Sequence, residues 1–332
     1  MHINHTLRPQ EMERISNEDL AKAFIAEKIE DIRSMCEEKM AFCPVTGDLR
    51  SYVASFITVM ALGEKAICVN IDHGFMFQNE SETIMRTYRE KLDKEVVFID
   101  ASERFFSSFD GVCEGLNKRR LFNREMINVI NEILPSYPKA EFFCHPTLYT
   151  DILEDIGNGK IIKARRHMYN PTPLTQTKPI EPLIHLYPDE LRVIGKALGL
   201  PNDIVYSRPV LAQRLVSRCT GTVTKERIHA LRHADAILCE EFEKNSLCDK
   251  VWQYFIILPD IKSVGVKDES RYEGWPAIIR AVNTMDAITA TIEEIPYAVL
   301  HKITSRIIGE VKGINRVLYD LTPKPTGTIE WE

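Results

Sequence analysis

The residue types and spacing that suggest chemistry appear first at Thr46, Gly47, Asp48, Leu49, Arg50 and Ser51, between a short apolar run and a longer one. Residues 42–62 read as strand, loop, helix. A loop that leaves the carboxyl end of a strand and opens a helix presents unpaired backbone N–H groups and the positive end of the helix dipole. That arrangement is a seat for an anion. Thr46 and Ser51 offer hydroxyl donors and Gly47 permits close backbone approach, as a phosphate cradle requires. Asp48 repels phosphate, whereas Arg50 attracts it. The loop by itself leaves two readings open, a phosphate site and an ordinary strand-to-helix turn. Further along stand Asp72-His73-Gly74, His145, and the basic cluster Lys163, Arg165, Arg166 and His167 ahead of Pro171 and Pro173. The cluster reads either as a solvated connector or as a lid over a phosphate.

These groups need elements to position them. Residues 17–35 carry apolar side chains at helical spacing, at Leu20, Phe24, Ile25, Ile29, Ile32 and Met35. Residues 66–71 form a short apolar run suited to a buried parallel strand. A helix over 79–91, a strand over 95–99, a helix over 116–134 and a strand over 141–144 follow. Strands alternating with helices predict an α/β doubly wound parallel sheet. In such sheets the loops at Thr46, Asp72 and His145 converge at the carboxyl ends of the strands, where ligands collect. A helix opens at Tyr187-Pro188-Asp189-Glu190 and closes at Gly199 and Pro201. Beyond residue 209 the pattern changes to a helix over 225–244, strands over 254–258 and 278–282, a helix over 296–311 and a strand over 316–319. This predicts a smaller α+β domain, dividing the chain into 1–210 and 211–332.

The totals narrow the class. A chain of 332 residues, 44% hydrophobic and 27% charged, has room for two separate cores. A net charge of -6 argues against a broad nucleic-acid footprint. The eight cysteines include no Cys-x-x-Cys pair and no metal-type spacing to histidines, so they read as reduced packing residues of a cytoplasmic protein. Nothing at the start reads as a signal peptide, and the longest apolar run, 52–62, is too short to span a bilayer.

The final residues, Tyr319-Asp320-Leu321-Thr322-Pro323-Lys324-Pro325-Thr326-Gly327-Thr328-Ile329-Glu330-Trp331-Glu332, closely resemble the ending of GMP synthases. The resemblance continues upstream through Arg306-Ile307-Ile308-Gly309-Glu310-Val311, Lys262-Ser263-Val264-Gly265-Val266, Asp249-Lys250-Val251-Trp252-Gln253, Glu181-Pro182-Leu183 and Cys68-Val69-Asn70-Ile71-Asp72-His73-Gly74. It implies an N-type ATP-pyrophosphatase domain of the adenine nucleotide alpha hydrolase-like fold, then the family's dimerisation domain. The glutamine-hydrolysing amidotransferase domain has no counterpart in these residues and can be a separate subunit in the family.

The implied reaction has two steps: ATP adenylates the xanthine O2 of XMP with release of pyrophosphate, and ammonia then displaces AMP to give GMP. ATP and Mg²⁺ are the implied cofactors, Lys163 and Asp72 the implied catalytic residues, and a homodimer the implied assembly. The family's Ser-Gly-Gly-x-Asp-Ser loop matches Thr46 to Ser51, with its second Gly replaced by Asp48 and its Asp by Arg50. The family's Ala-Gln-Gly-Thr is Cys144-His145-Pro146-Thr147, where Pro146 removes a backbone donor. In the lid Lys163 matches, but Arg165-Arg166-His167 and Tyr169-Asn170 stand for His-His-Asn and Gly-Gly. Leu211-Ala212-Gln213-Arg214-Leu215 stands for Pro-Gly-Pro-Gly-Leu. By contrast, the implied XMP contacts are retained at Arg119, Arg218, Gln253, Lys324, Thr328, Ile329 and Glu330. The residues alone permit a blander view, with Arg119 on a solvated basic face in Lys118-Arg119-Arg120 and Gln253 capping a strand. The leading expectation is a GMP synthase subunit fed ammonia by a separate amidotransferase; the alternative is a paralogue that binds XMP or GMP without adenylating it, and a third is a different ligase with an altered nucleotide or acyl phosphate in the first site.

Overall fold

Asn17 opens the first helix because its side chain accepts a hydrogen bond from Leu20 N at 3.0 Å, satisfying an otherwise orphaned donor. In the computed structural model, which describes residues 7–152, 177–267, 269–284 and 289–331, that helix is α1 (Glu18–Cys36). The described chain forms two compact units, each built from more than one stretch of sequence.

The first unit comprises Met1–Asp72, Glu80–Asp100 and Met126–Ser207. Its sheet contains β1 (Met40–Pro44), β2 (Ala66–Asp72), β3 (Val97–Asp100), β4 (Ala140–Cys144) and β5 (Lys178–Ile180) in the order β3-β2-β1-β4-β5. Every pairing is parallel. β2 is buried along Ala66 to Ile71, which requires cover on both faces and explains its unbroken apolar run. β1 lies between β2 and β4, so chain direction across the sheet reverses there and opens a crevice at the strand ends. Helix α2 (Leu49–Leu62) leaves that point and is buried around most of its circumference, as a core helix must be. Its buried hydroxyls are satisfied within the helix, Ser55 Oγ donating to Ser51 O at 2.5 Å and Thr58 Oγ1 to Ala54 O at 2.8 Å. Among the described residues this unit also holds α3 (Glu80–Leu92), α6 (Pro188–Ala197) and the short α7 (Asn202–Val205). α1, α2 and α6 pack on one another.

The second unit comprises His73–Asn79, Ala101–Glu125 and Arg208–Glu332. It contains α4 (Ser102–Ser108) and residues 115–125 of α5 (Gly115–Ile133), whose remainder belongs to the first unit. Its long helix α8 (Lys225–Lys244) is capped by Thr224, whose side chain accepts from Arg227 N at 3.2 Å. The sheet is built on β8 (Ser270–Asn283), 14 residues long, flanked by β6 (Gln253–Ile257) and β10 (Ile314–Tyr319) in the order β10-β8-β6. β7 (Ser263–Lys267) and β9 (Thr291–Ile292) pair with other parts of β8. The β6, β7 and β9 pairings are antiparallel, whereas β10 is parallel and is reached through α9 (Tyr297–Glu310).

The expected class, a doubly wound parallel sheet followed by a smaller α+β unit, is what forms. The elements not foreseen are α4, α7, β5, β7 and β9, and several of these are too short to show a period. Among the described residues no helix is long and apolar enough to cross a membrane, and all eight cysteines are free thiols.

Candidate functional site

The loop between β1 and α2 keeps the backbone form of an anion seat. Gly47 has φ +78, a left-handed backbone that favours glycine, whereas the Glu80 carboxylate that a Cβ would meet at 2.8 Å ends a flexible side chain that can shift. Three donors of the loop, however, have internal partners. Asp48 is the N-cap of α2, and its Oδ1 accepts from Ser51 N at 2.9 Å. Thr46 Oγ1 donates to Asp48 Oδ2 at 2.9 Å, while Thr46 N donates to Ser51 Oγ at 3.0 Å. A carboxylate of the chain itself therefore stands at the helix N-terminus, stabilised there by the same dipole that would attract phosphate.

The neighbouring cation is also committed. Arg50 Nη1 lies 3.2 Å from Asp151 Oδ2, and Asp151 is buried and accepts from Leu148 N as well. In the segment after β4, His145 N donates to Ile180 O at 2.8 Å and Thr147 Oγ1 to Glu181 Oε1 at 2.8 Å. For an ATP phosphate and its Mg²⁺ ion the fit is poor at two of the loop's donors, because phosphate would have to displace the Asp48 carboxylate from the Ser51 N–H and the Thr46 hydroxyl. Among the described residues no cluster of three metal-ligating side chains is present.

Asp72 closes β2 opposite Asp100 of β3. His73 is buried, accepts from Phe75 N on Nδ1 at 3.2 Å, and is ringed by Phe75, Phe105 and Phe122. Burial first, then the charges of Arg214 and Arg232, push its pKa down to about 3, which keeps the ring neutral. Lys163 and the lid residues Arg165, Arg166, His167, Tyr169 and Asn170 lie outside the described residues.

In the second unit a different cluster forms. Arg218 is fully buried, its guanidinium 4.4 Å from the centre of the Phe255 ring. Its Nη1 lies 3.5 Å from Asp235 Oδ1, and its Nε lies 3.6 Å from Glu330 Oε2. At 3.6 Å the second contact is an ion pair too long for a hydrogen bond, and neither Arg218 Nε nor Glu330 Oε2 has a hydrogen-bond partner. Gln253 Nε2 donates to Glu330 Oε1 at 3.2 Å and to Pro209 O at 2.8 Å. Burial pushes the Glu330 carboxyl up from its ordinary range, while the Arg218 and Arg208 charges pull it back. Burial likewise lowers Arg218, opposed by Glu330.

The expected substrate residues are placed as follows. Arg218, Gln253 and Glu330 meet directly. Ile329 packs on Phe255, Ile257 and Ile278, and Thr328 Oγ1 donates to Glu330 O. Lys324 is tied by its backbone to Ala290, donating to Ala290 O at 3.0 Å. Arg119, half-buried on α5, makes no hydrogen bond or ion pair to this cluster among the described residues, although buried Lys118 donates to Cys219 O at 2.7 Å, one residue from Arg218.

Sequence reasoning passed over Arg208, Asp235 and Arg280. Asp235 is buried on the apolar face of α8 and holds both arginines, pairing with Arg208 as well as Arg218. A carboxylate amid Leu231, Ala234, Ile237 and Leu238 was the available signal. Arg214 adds another feature: where the resemblance puts a glycine, this buried arginine takes φ +52, a left-handed backbone that costs about 1–2 kcal/mol outside glycine.

Comparison with known proteins bears on all of this. Residues 240–331 match the family described as GMP synthase C terminal domain. A protein of Bacteroides thetaiotaomicron, provisionally named GMP synthase (glutamine-hydrolyzing) 2, is 40% identical over 93% of this chain and 71% of its own length. The GMP synthase (glutamine-hydrolyzing) of Heliobacterium modesticaldum is 40% identical over 93% of this chain and 61% of its own length, and that of Geobacillus kaustophilus 38% identical over the same shares. The chain thus spans about three-fifths of the latter two relatives. The structure of NMN synthetase from Francisella tularensis aligns with a TM-score of 0.44 at 14% identity, over 58% of this chain and 77% of that one, too slight a likeness to argue from. The chain belongs to the GMP synthase family.

Proposed function

We propose that this member of the family binds a purine nucleoside monophosphate of the XMP or GMP type through its C-terminal unit, and that its phosphate loop does not adenylate that ligand. The observation that carries this reading is the Asp48 carboxylate, which takes the Ser51 N–H and the Thr46 hydroxyl at the N-terminus of α2. Triphosphate entering that seat would meet a like charge and displaced donors, and the family's acidic position is an arginine bound to Asp151. No step is therefore routed through ATP or Mg²⁺.

On the ligand side, the chain retains groups of the required kind. A carboxylate and an amide, Glu330 and Gln253, suit the polar edge of a purine, while Lys324 and Arg119 suit a 5′-phosphate. The unsatisfied pair of Arg218 Nε and Glu330 Oε2 supports this assignment, because buried charged atoms left without hydrogen bonds are costly unless something completes them. In this proposal residues 211–332, together with Arg119, carry recognition, residues 211–332 carry the homodimer contact, and the rest of 1–210 carries the altered nucleotide fold.

The second reading is a working subunit that converts XMP, ATP and ammonia to GMP, AMP and pyrophosphate, with ammonia from a separate glutamine amidotransferase and with Lys163 and Asp72 in catalysis. The 40% identity to named GMP synthases across 93% of the chain favours it. One experiment separates the two. Purified chain is titrated with XMP by calorimetry without ATP, then assayed for XMP-dependent pyrophosphate release from Mg-ATP with ammonium salt. Binding without release is the expected outcome, and release with GMP formation overturns the proposal in favour of the second reading.

A further inference from the structure

Arg280 lies within the buried apolar run Ile278-Ile279-Arg280-Ala281-Val282 of β8, opposite Phe255 of β6, and is 0% exposed. A guanidinium in such a place costs several kcal/mol unless its donors are matched. They are matched by a single segment of chain. Nε donates to Ile329 O at 2.8 Å, Nη1 to Asp320 Oδ2 at 2.8 Å and Thr322 O at 3.0 Å, and Nη2 to Thr328 O at 2.8 Å.

The positions of these four acceptors are informative. Two lie before Lys324, at Asp320 and Thr322, and two lie just before Glu330, at Thr328 and Ile329. The segment they hold follows β10 and has no strand of its own. Its backbone ties to the rest of the unit are the Lys324–Ala290 bridge and the donation of Asp320 N to Ile279 O. A side chain rather than a ladder of backbone hydrogen bonds thus fixes much of its course. We infer that Arg280 is the positioning residue of the C-terminal segment, setting where Lys324 and Glu330 stand by gripping the chain on both sides of the turn between them.

Arginine is suited to the task because its planar fork directs donors to several acceptors at once, whereas a lysine ammonium is a point charge and cannot span them. Arg280 itself touches no expected ligand-binding side chain in these bonds; it acts through the backbone of that segment. That Lys324 and Glu330 then meet a purine monophosphate rests on the function proposed above.

The test uses the full chain with Arg280→Lys, Arg280→Met and Asp320→Asn, followed by hydrogen exchange of peptides covering 320–331, β6 and α8, with XMP calorimetry in parallel. Losing hydrogen bonds to a charged group is expected to speed exchange in 320–331 by about tenfold or more in Arg280→Lys, with β6 and α8 still protected, and to weaken XMP binding by about tenfold or more. Exchange in 320–331 within about twofold of the parent overturns the inference, as does an equal rise across β6 and α8, which would make Arg280 a core-stability residue. If Arg280→Met does not fold, Arg280→Lys and Asp320→Asn carry the same comparison. Should the parent chain bind no XMP, the functional reading fails, and the exchange of 320–331 alone decides the positioning role.

Discussion

The phosphate loop of the first unit and the charged cluster of the second use the same kinds of groups in different ways. At the loop, Asp48, Thr46 and Ser51 satisfy one another, and Arg50 is held by Asp151. In the cluster, Arg218, Glu330 and Gln253 converge but leave Arg218 Nε and Glu330 Oε2 without hydrogen bonds. An anion at the loop gains less, because it must first displace Asp48 from the Ser51 N–H and the Thr46 hydroxyl. A cluster with buried unsatisfied charge gains from a ligand that completes it. The family's relatives cover both regions, so membership by itself cannot say which of them still works.

Three perturbations would break or sharpen that contrast. The largest effect is expected at Arg218→Met, which leaves Glu330 buried without its nearest cation. Breaking a buried pair from one side costs about 3–5 kcal/mol, so urea unfolding should show a loss of that size. A loss below about 1 kcal/mol, the range of exposed pairs, would mean that the cluster is solvated and its orphaned atoms carry no information.

Lys324→Ala comes next. Removing a charged hydrogen-bond donor from a ligand phosphate costs about 1.5–3 kcal/mol, roughly a ten- to hundredfold weaker XMP titration, without a change in melting temperature. Unchanged affinity would remove Lys324 from the site. The smallest change in stability is expected for Asp48→Gly, since glycine at an N-cap costs only a few tenths of a kcal/mol. It frees Ser51 N–H and removes a negative charge, so Mg-ATP affinity measured by calorimetry should rise about tenfold or more. If it does not, the self-capped loop is not what keeps ATP out. Arg50→Asp is a poor companion change, because it would set a second carboxylate against Asp151, which is buried.

Much of the fold was legible because its signals are local. The helical spacing from Leu20 to Met35, the apolar run 66–71 and the Pro and acidic opening of the helix at Pro188 each report their own element. The short strands β5 and β9 were not legible, since three or two residues carry no period and pair only when a neighbouring strand is present. Asp48 was visible as a charge at odds with phosphate, but its role as the N-cap of α2 depends on backbone angles at the start of that helix. Gln253 shows a similar limit. Its sequence neighbours allowed a strand cap, whereas folding brings it 3.2 Å from Glu330, 77 residues away.

The sequence by itself determined the class of both units, the family resemblance through the ending from Tyr319 to Glu332, and the departures Asp48, Arg50 and Pro146. Those follow from residue type and nearest neighbours along the chain. Only the tertiary structure decided that Asp48 occupies its own helix terminus, that Arg50 is bound to Asp151, and that Asp235 and Arg280 stand behind the C-terminal cluster. The reason is that satisfaction of a buried charge depends on which groups lie within about 3 Å in space. Arg50 and Asp151 are 101 residues apart and Asp235 and Arg208 27 apart, separations that leave no local mark, while the cap at Asp48 is local in sequence but set by backbone angles.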